Sequence, residues 1–284
     1  MNKKFSVLLF AAMLTVGLTS CGTSGSNTSA SASSTSAGTG SQDSMVTLTC
    51  LADSVPHAEI LKEMEPELEK EGIKLDIVSE QWDSTWNEQV ENGTVDFHYD
   101  AYVPYLDEWN KSNGGDLVSA GSIHFEPLVM CSDKCENLSD LPDNATIAIK
   151  DDVTNQYRCL KLLEQAGLIE LSKDMTLSNA DVSYITKYNK PLKITAIDAD
   201  IIMNTRSDFD AYITNVNRLL EAGLDPTKYL VKEKEENSIF ANVICVQKGN
   251  ENNENIKKLV AMLQSDKCRK FIEDTYKGAV EPAF

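Results

Sequence analysis

Apolar positions recur along the chain with two different spacings, and the spacing separates strands from helices. Ile73, Leu75 and Ile77 alternate with Lys74 and Asp76, the period-two pattern of a half-buried strand. Ile256, Leu259, Val260 and Leu263 instead repeat at i, i+3, i+4 and i+7, which is one face of a helix. Ile60, Leu61, Met64 and Leu68 form another such face, closed by Gly72. Ser54 is placed to cap this helix, Pro56 suits its first turn, and Pro66 should kink or interrupt it. Further strands are predicted at Val46–Leu51, Val95–Tyr99, Thr146–Ile149, Leu192–Thr195 and Phe209–Thr214. The uninterrupted run Phe240–Val246 reads as a buried strand. Helices are predicted around Trp82–Glu91 and Val103–Lys111, from a Thr154 cap to a stop at Gly167, and over Asp266–Tyr276.

Strands alternating with helices predict an α/β fold with helices on the sheet faces. The chain divides into two lobes, lobe I from 45–130 and 240–284 and lobe II from 131–239, with the C-terminus folded back onto the first. The cleft between them is the default ligand site.

The N-terminal pattern differs. Lys3 and Lys4 precede an apolar run from Phe5 to about Leu18, too short to span a bilayer, and Leu18-Thr19-Ser20-Cys21 follows. This is a secretory signal over 1–20 ending in a bacterial lipobox, so Cys21 is expected to be lipidated and to lead the mature chain. Residues 21–44 are nearly all Ser, Thr, Gly and Ala, a composition that cannot offset its ordering entropy. As a flexible coil this linker reaches about 25 Å. The expected location is the extracytoplasmic face of the cell membrane, held by lipid alone.

The 284 residues carry 26 basic and 44 acidic side chains, a formal charge of −18. Such acidity argues against nucleic-acid partners and electrostatic binding to anionic lipid. Seven cysteines leave six beyond Cys21. Cys50, Cys159 and Cys245 sit in apolar patterns as small hydrophobes, so mostly free thiols are expected. Neither a C-x-x-C pair nor a histidine frame suggests zinc, and the sequence shows no catalytic triad motif or phosphate-binding glycine loop. No enzyme activity, cofactor or resident metal is expected.

A set of ordered segments carries a resemblance. These include Val55-Pro56-His57-Ala58-Glu59-Ile60-Leu61, Pro104-Tyr105-Leu106, Asp152-Val153-Thr154-Asn155, Leu220-Glu221-Ala222-Gly223-Leu224-Asp225-Pro226, Ala241-Asn242-Val243-Ile244 and the closing Glu281-Pro282-Ala283-Phe284. Together they resemble the NlpA lipoprotein family, the methionine-binding lipoproteins of ABC importers. The resemblance implies a two-lobed type II periplasmic-binding-protein fold that closes on an amino-acid ligand. It also implies an ABC permease with its ATPase as partner. Arg158 matches the family arginine that clamps the ligand carboxylate, a bidentate fit near the start of a helix. The other reading of Arg158 is a surface ion pair with Asp151 or Asp152.

Asn155, Asn215 and Asn242 match family asparagines around the ligand head, where an amide serves both ammonium and carboxylate. Trp82 stands in for a family tyrosine, Asp100-Ala101-Tyr102 replaces the family's Phe-Gln-His wall, and Tyr99 beside it is a further candidate. The amino-acid head site is therefore retained and the side-chain pocket rebuilt. The expected ligand is methionine, a related or more polar amino acid, or a methionine-containing dipeptide. Two other functions stay open. One is a surface interaction lipoprotein without solute capture, in which Asp100 and Arg218 pair with each other. The other is a ferric-iron binder using His98, Asp100 and Tyr102.

Overall fold

The computed structural model describes residues 45–83, 85–234 and 238–284. The expected signal, the linker and the lipidation site at Cys21 lie outside these residues. The chain begins with β1 (Val46–Ala52), an irregular turn over 54–58, α1 (Glu59–Lys70) and β2 (Ile73–Ser79). Next come α2 (Trp86–Glu91), β3 (Phe97–Tyr102), α3 (Val103–Asn113) and β4 (Val118–Phe125). A second set follows: β5 (Leu128–Cys131), β6 (Ala145–Lys150), α4 (Val153–Gln165), and a small hairpin of β7 (Ile169–Leu171) and β8 (Ile185–Tyr188). It continues through β9 (Leu192–Ile197), α5 (Ala199–Thr205), β10 (Ala211–Asn215), α6 (Val216–Glu221) and β11 (Val231–Lys232). The chain ends with β12 (Asn242–Val246), α7 (Glu254–Leu263), α8 (Asp266–Tyr276) and β13 (Glu281–Pro282).

These strands form two main sheets. The first has the order β13-β4-β12-β3-β1-β2, with β1 parallel to both β2 and β3. The second has the order β11-β5-β10-β6-β9, with β6 parallel to β9 and β10. The chain passes from first sheet to second between Phe125 and Leu128, just ahead of the sequence-based lobe boundary, and returns between β11 and β12.

Ile60, Leu61, Met64 and Leu68 of α1 pack in one cluster with Ile256, Leu259, Leu263 and Ile272 against the first sheet. Each fully buried aliphatic of this kind stabilises the fold by about 1.5–3 kcal/mol. Trp86, Val90 and Leu106 cover the other face, and Leu160, Leu163 and Ile213 fill the core of the second sheet. The two-lobed α/β expectation holds.

Three local expectations are corrected. Helix α1 runs through Pro66 without interruption, because the ring lies on the exposed face while apolar neighbours on both sides are buried. Ser54 does not cap it: Val55 is extended (φ −138°, ψ 130°), which delays the helix to Glu59. Asp152 rather than Thr154 caps α4, its Oδ1 accepting the Asn155 backbone N–H at 2.9 Å. The stop signals are as expected, with Gly72 (φ 79°) after α1 and Gly167 (φ 72°) after α4 in the left-handed conformation.

Cys50, Cys131, Cys159, Cys245 and Cys268 are buried free thiols, and Cys135 is a half-buried one. Among the described residues no helix is long and apolar enough to cross a membrane.

Candidate functional site

The carboxyl ends of parallel strands from both sheets converge on one cleft of about 220 Å³. That is where open α/β sheets place ligands, because the loops leaving the strands there are free to carry polar side chains. From the first sheet come Asp100, Ala101 and Tyr102 at the end of β3, with Trp82, Tyr105 and Asn242. From the second come Lys150, Asp151 and Asp152 after β6, Asn155 on α4, Asp198–Asp200 after β9, and Asn215, Asn217 and Arg218 at the β10–α6 joint. Glu126, on the segment joining the sheets, completes the lining.

Six expected residues thus meet in this cleft: Trp82, Asp100, Tyr102, Asn155, Asn215 and Asn242. Trp82 is braced edge-on by Trp86, His98 and Tyr105, with ring centroids 5.3–5.8 Å away. Tyr102 reaches across to the second lobe, its hydroxyl 3.1 Å from Thr154 Oγ1. Asn155 donates its amide N–H2 to Asp152 Oδ2 at 3.0 Å, leaving its buried Oδ1 without a protein partner.

Two expected residues are placed elsewhere. Tyr99 lies on the opposite face of β3, fully buried, with its hydroxyl against His124 Nδ1. Arg158 neither lines the cleft nor faces solvent. Its Nε and Nη2 donate to Glu233 Oε1 and Oε2 at 3.1 and 2.7 Å, and Nη2 also donates to the Glu126 carbonyl at 3.0 Å. The rings of Phe240, Tyr102 and Phe125 surround the guanidinium at 4.7, 5.3 and 5.9 Å. The His98-Asp100-Tyr102 trio is not assembled either, because His98 turns inward to Asn87 Oδ1 at 2.9 Å.

Sequence reasoning missed Lys150, Asn217 and Asp53. Lys150 ends the apolar strand Ile147-Ala148-Ile149 and precedes the α4 cap, a position at which a basic residue is a usable signal. Its ammonium bonds Asn215 Oδ1, and the residue as a whole is only 7% exposed. Burial lowers its pKa below the ordinary lysine range.

Asp53, fully buried behind the cleft, accepts from the Trp82 backbone N–H at 2.5 Å and from Asn217 Nδ2 at 3.1 Å. Burial, then the nearby Asp100, push its carboxyl up to about 9, against the pull of Arg218. Burial likewise pushes Asp100 up to about 7. Arg218 pairs with Asp53 at 3.4 Å, Asp200 at 3.8 Å and Glu221 at 3.0 Å. Beneath this wall His57 and His124 flank Glu126, their Nε2 atoms 3.4 and 2.8 Å from Oε1, and burial lowers both imidazoles to about 3. Neutral histidines there help seal the polar floor of the cleft.

Two α/β lobes joined by crossing segments, with strand ends converging on an amino-acid-sized polar cleft, define a two-lobed substrate-binding protein. The chain belongs to the NlpA lipoprotein family, whose sequence profile matches residues 49–284, a family of binding lipoproteins rather than enzymes. It is 35% identical over 249 residues to the methionine-binding lipoprotein MetQ of Bacillus subtilis (strain 168), covering 86% of this chain and 90% of that one. A putative lipoprotein from Ruminococcus gnavus superposes with a TM-score of 0.80 at 35% identity, over 83% of this chain and 98% of that one. A nutrient binding protein from Burkholderia cenocepacia, solved bound to methionine, superposes at 0.79 with 30% identity, over 84% and 100% of the two chains.

Proposed function

We propose that this protein is the lipid-anchored, extracytoplasmic receptor of an ABC importer. It captures methionine or a related small amino acid or short peptide by closing its lobes. The observation that carries this reading is the cleft itself, about 220 Å³ and lined from both lobes by amides and charges. A ligand bridging Asn155 and Asn215 on one wall and Asn242 and Asp100 on the other gains contacts only in the closed state. That difference in affinity is what drives closure. The closed body then presents itself to a permease whose ATPase supplies the energy. The structure of the methionine-bound relative supports the ligand class, and the lipobox ending at Cys21 supports the anchor.

Calorimetric titration of the detergent-solubilised full-length protein tests it. Saturable heat with L-methionine or a relative is expected, with a matching rise in melting temperature. A flat response across all amino acids and short peptides removes the receptor reading.

A further inference from the structure

We propose that Lys150, not Arg158, is the cation that receives the ligand's carboxylate, with the Asn215 amide as its co-donor. This inference rests on the receptor reading above and names the anion-docking group within it.

Arg158 is not among the residues that line the cleft, and most of its guanidinium is engaged elsewhere. Its Nε and one terminal nitrogen are taken by both Glu233 oxygens and the Glu126 carbonyl, and aromatic rings close around the guanidinium. Tyr102, which lines the cleft and packs its ring 5.3 Å from the Arg158 guanidinium, is itself tied to Thr154.

Lys150 is the opposite case. It lines the cleft, and among the described residues no carboxylate lies within ion-pair distance of its ammonium. Asp152 acts on it only at longer range. An ammonium has three donors, and the one protein bond to Asn215 Oδ1 leaves two. Because Asn215 turns its oxygen to the lysine, its N–H2 end is aimed elsewhere and meets no acceptor among the described residues. Two adjacent sets of donors on the cleft wall call for a group that only accepts and carries negative charge. A carboxylate is that group. The remaining lining suits the other half of a zwitterion. Asp100 and Glu126 offer acceptors, and the unpartnered Asn155 Oδ1 adds another.

The test titrates wild type, Lys150→Met, Lys150→Arg and Arg158→Lys with L-methionine and L-methioninamide, then with the other proteinogenic amino acids against their α-amides. Wild type is expected to prefer the acid over the amide by about tenfold or more, the worth of one charge-assisted contact. Lys150→Met removes most of that preference by weakening the acid alone, and Lys150→Arg restores it. Arg158→Lys keeps the preference while lowering the melting temperature. A Lys150→Met protein that still discriminates as wild type does, or an Arg158→Lys protein that does not, overturns the proposal. Should wild type bind none of these compounds and no short peptide or peptide amide either, the receptor reading falls first and this assignment with it, an outcome distinct from binding without discrimination at Lys150.

Discussion

Two buried cations stand on the same strand–helix joint and live in opposite circumstances. Arg158, on α4, has a carboxylate partner, a carbonyl partner and three aromatic neighbours. Lys150, at the end of β6, has one amide oxygen and an open cleft. Burying a charge costs free energy unless it is paired, so the two sites settle that cost differently. Arg158 is paired inside the protein, and on the assignment proposed above it serves as structure. On the same assignment Lys150 is left for something from outside. Retaining a residue in a motif does not retain its task, because the task is set by what the surrounding residues leave free.

The largest effect that can break this comparison is on stability. Arg158→Ala strands Glu233 in a part-buried site and opens the aromatic box. A loss of about 3–5 kcal/mol is expected, read by urea or thermal unfolding. A double cycle with Glu233→Gln should show strong coupling, because the two groups share one bidentate contact. If Arg158→Ala unfolds like wild type yet loses ligand binding, Arg158 is a ligand group after all and the contrast with Lys150 collapses.

This contrast also marks what the sequence could disclose. The strands and helices were readable where the strand Ile73-Leu75-Ile77 and the stripe Ile256-Leu259-Val260-Leu263 have periods that only one element type satisfies. The cleft residues Asn155, Asn215 and Asn242 were readable because they match a family pattern, and the fold brings them together as that pattern implies. The pairing of Arg158 was not readable. Its partner Glu233 is distant along the chain, and no local pattern announces a long-range ion pair. Lys150 went unnoticed for the converse reason: a lysine next to Asp151-Asp152 looks like a solvated surface charge until the sheet places it in a cleft. Tyr99 was misplaced despite the alternation rule, which puts it on the face opposite Asp100.

Asp100 sharpens the comparison from the other wall. Its folded carboxyl titrates near 7 because of burial, while the unfolded chain titrates near the ordinary aspartate value. The sign follows from proton counts. Between about pH 4 and 7 the native state holds a proton that the unfolded chain has released, so stability falls as pH rises through that window. The loss is complete above about pH 7 and amounts to at most about 4 kcal/mol. Asp100→Asn abolishes it and also relieves Asp53, whose rise owes its second contribution to Asp100. The melting temperature of the variant should therefore gain on wild type steadily from pH 4 to pH 8. Parallel curves would show that Asp100 carries no such burden, and that the cleft's two walls do not differ in unmet charge.

The smallest effect concerns how the joint is held. Asp152 caps α4 through Asn155 N at 2.9 Å and anchors the Asn155 amide at 3.0 Å, so it fixes the start of the helix just after Lys150. Asp152→Ala should cost about 1 kcal/mol of stability, the usual worth of an N-cap. Because Asn155 is freed to rotate, affinity for the acid ligand should also drop, by about threefold. The preference for acid over α-amide should survive, since the Lys150–Asn215 donor pair does not depend on the cap. Calorimetry on this variant separates the two ways a joint can serve a ligand. A collapse of the acid preference would mean that Lys150 is positioned through α4. A retained preference means that β6 and β10 alone hold the lysine and its amide in register, as their parallel pairing allows.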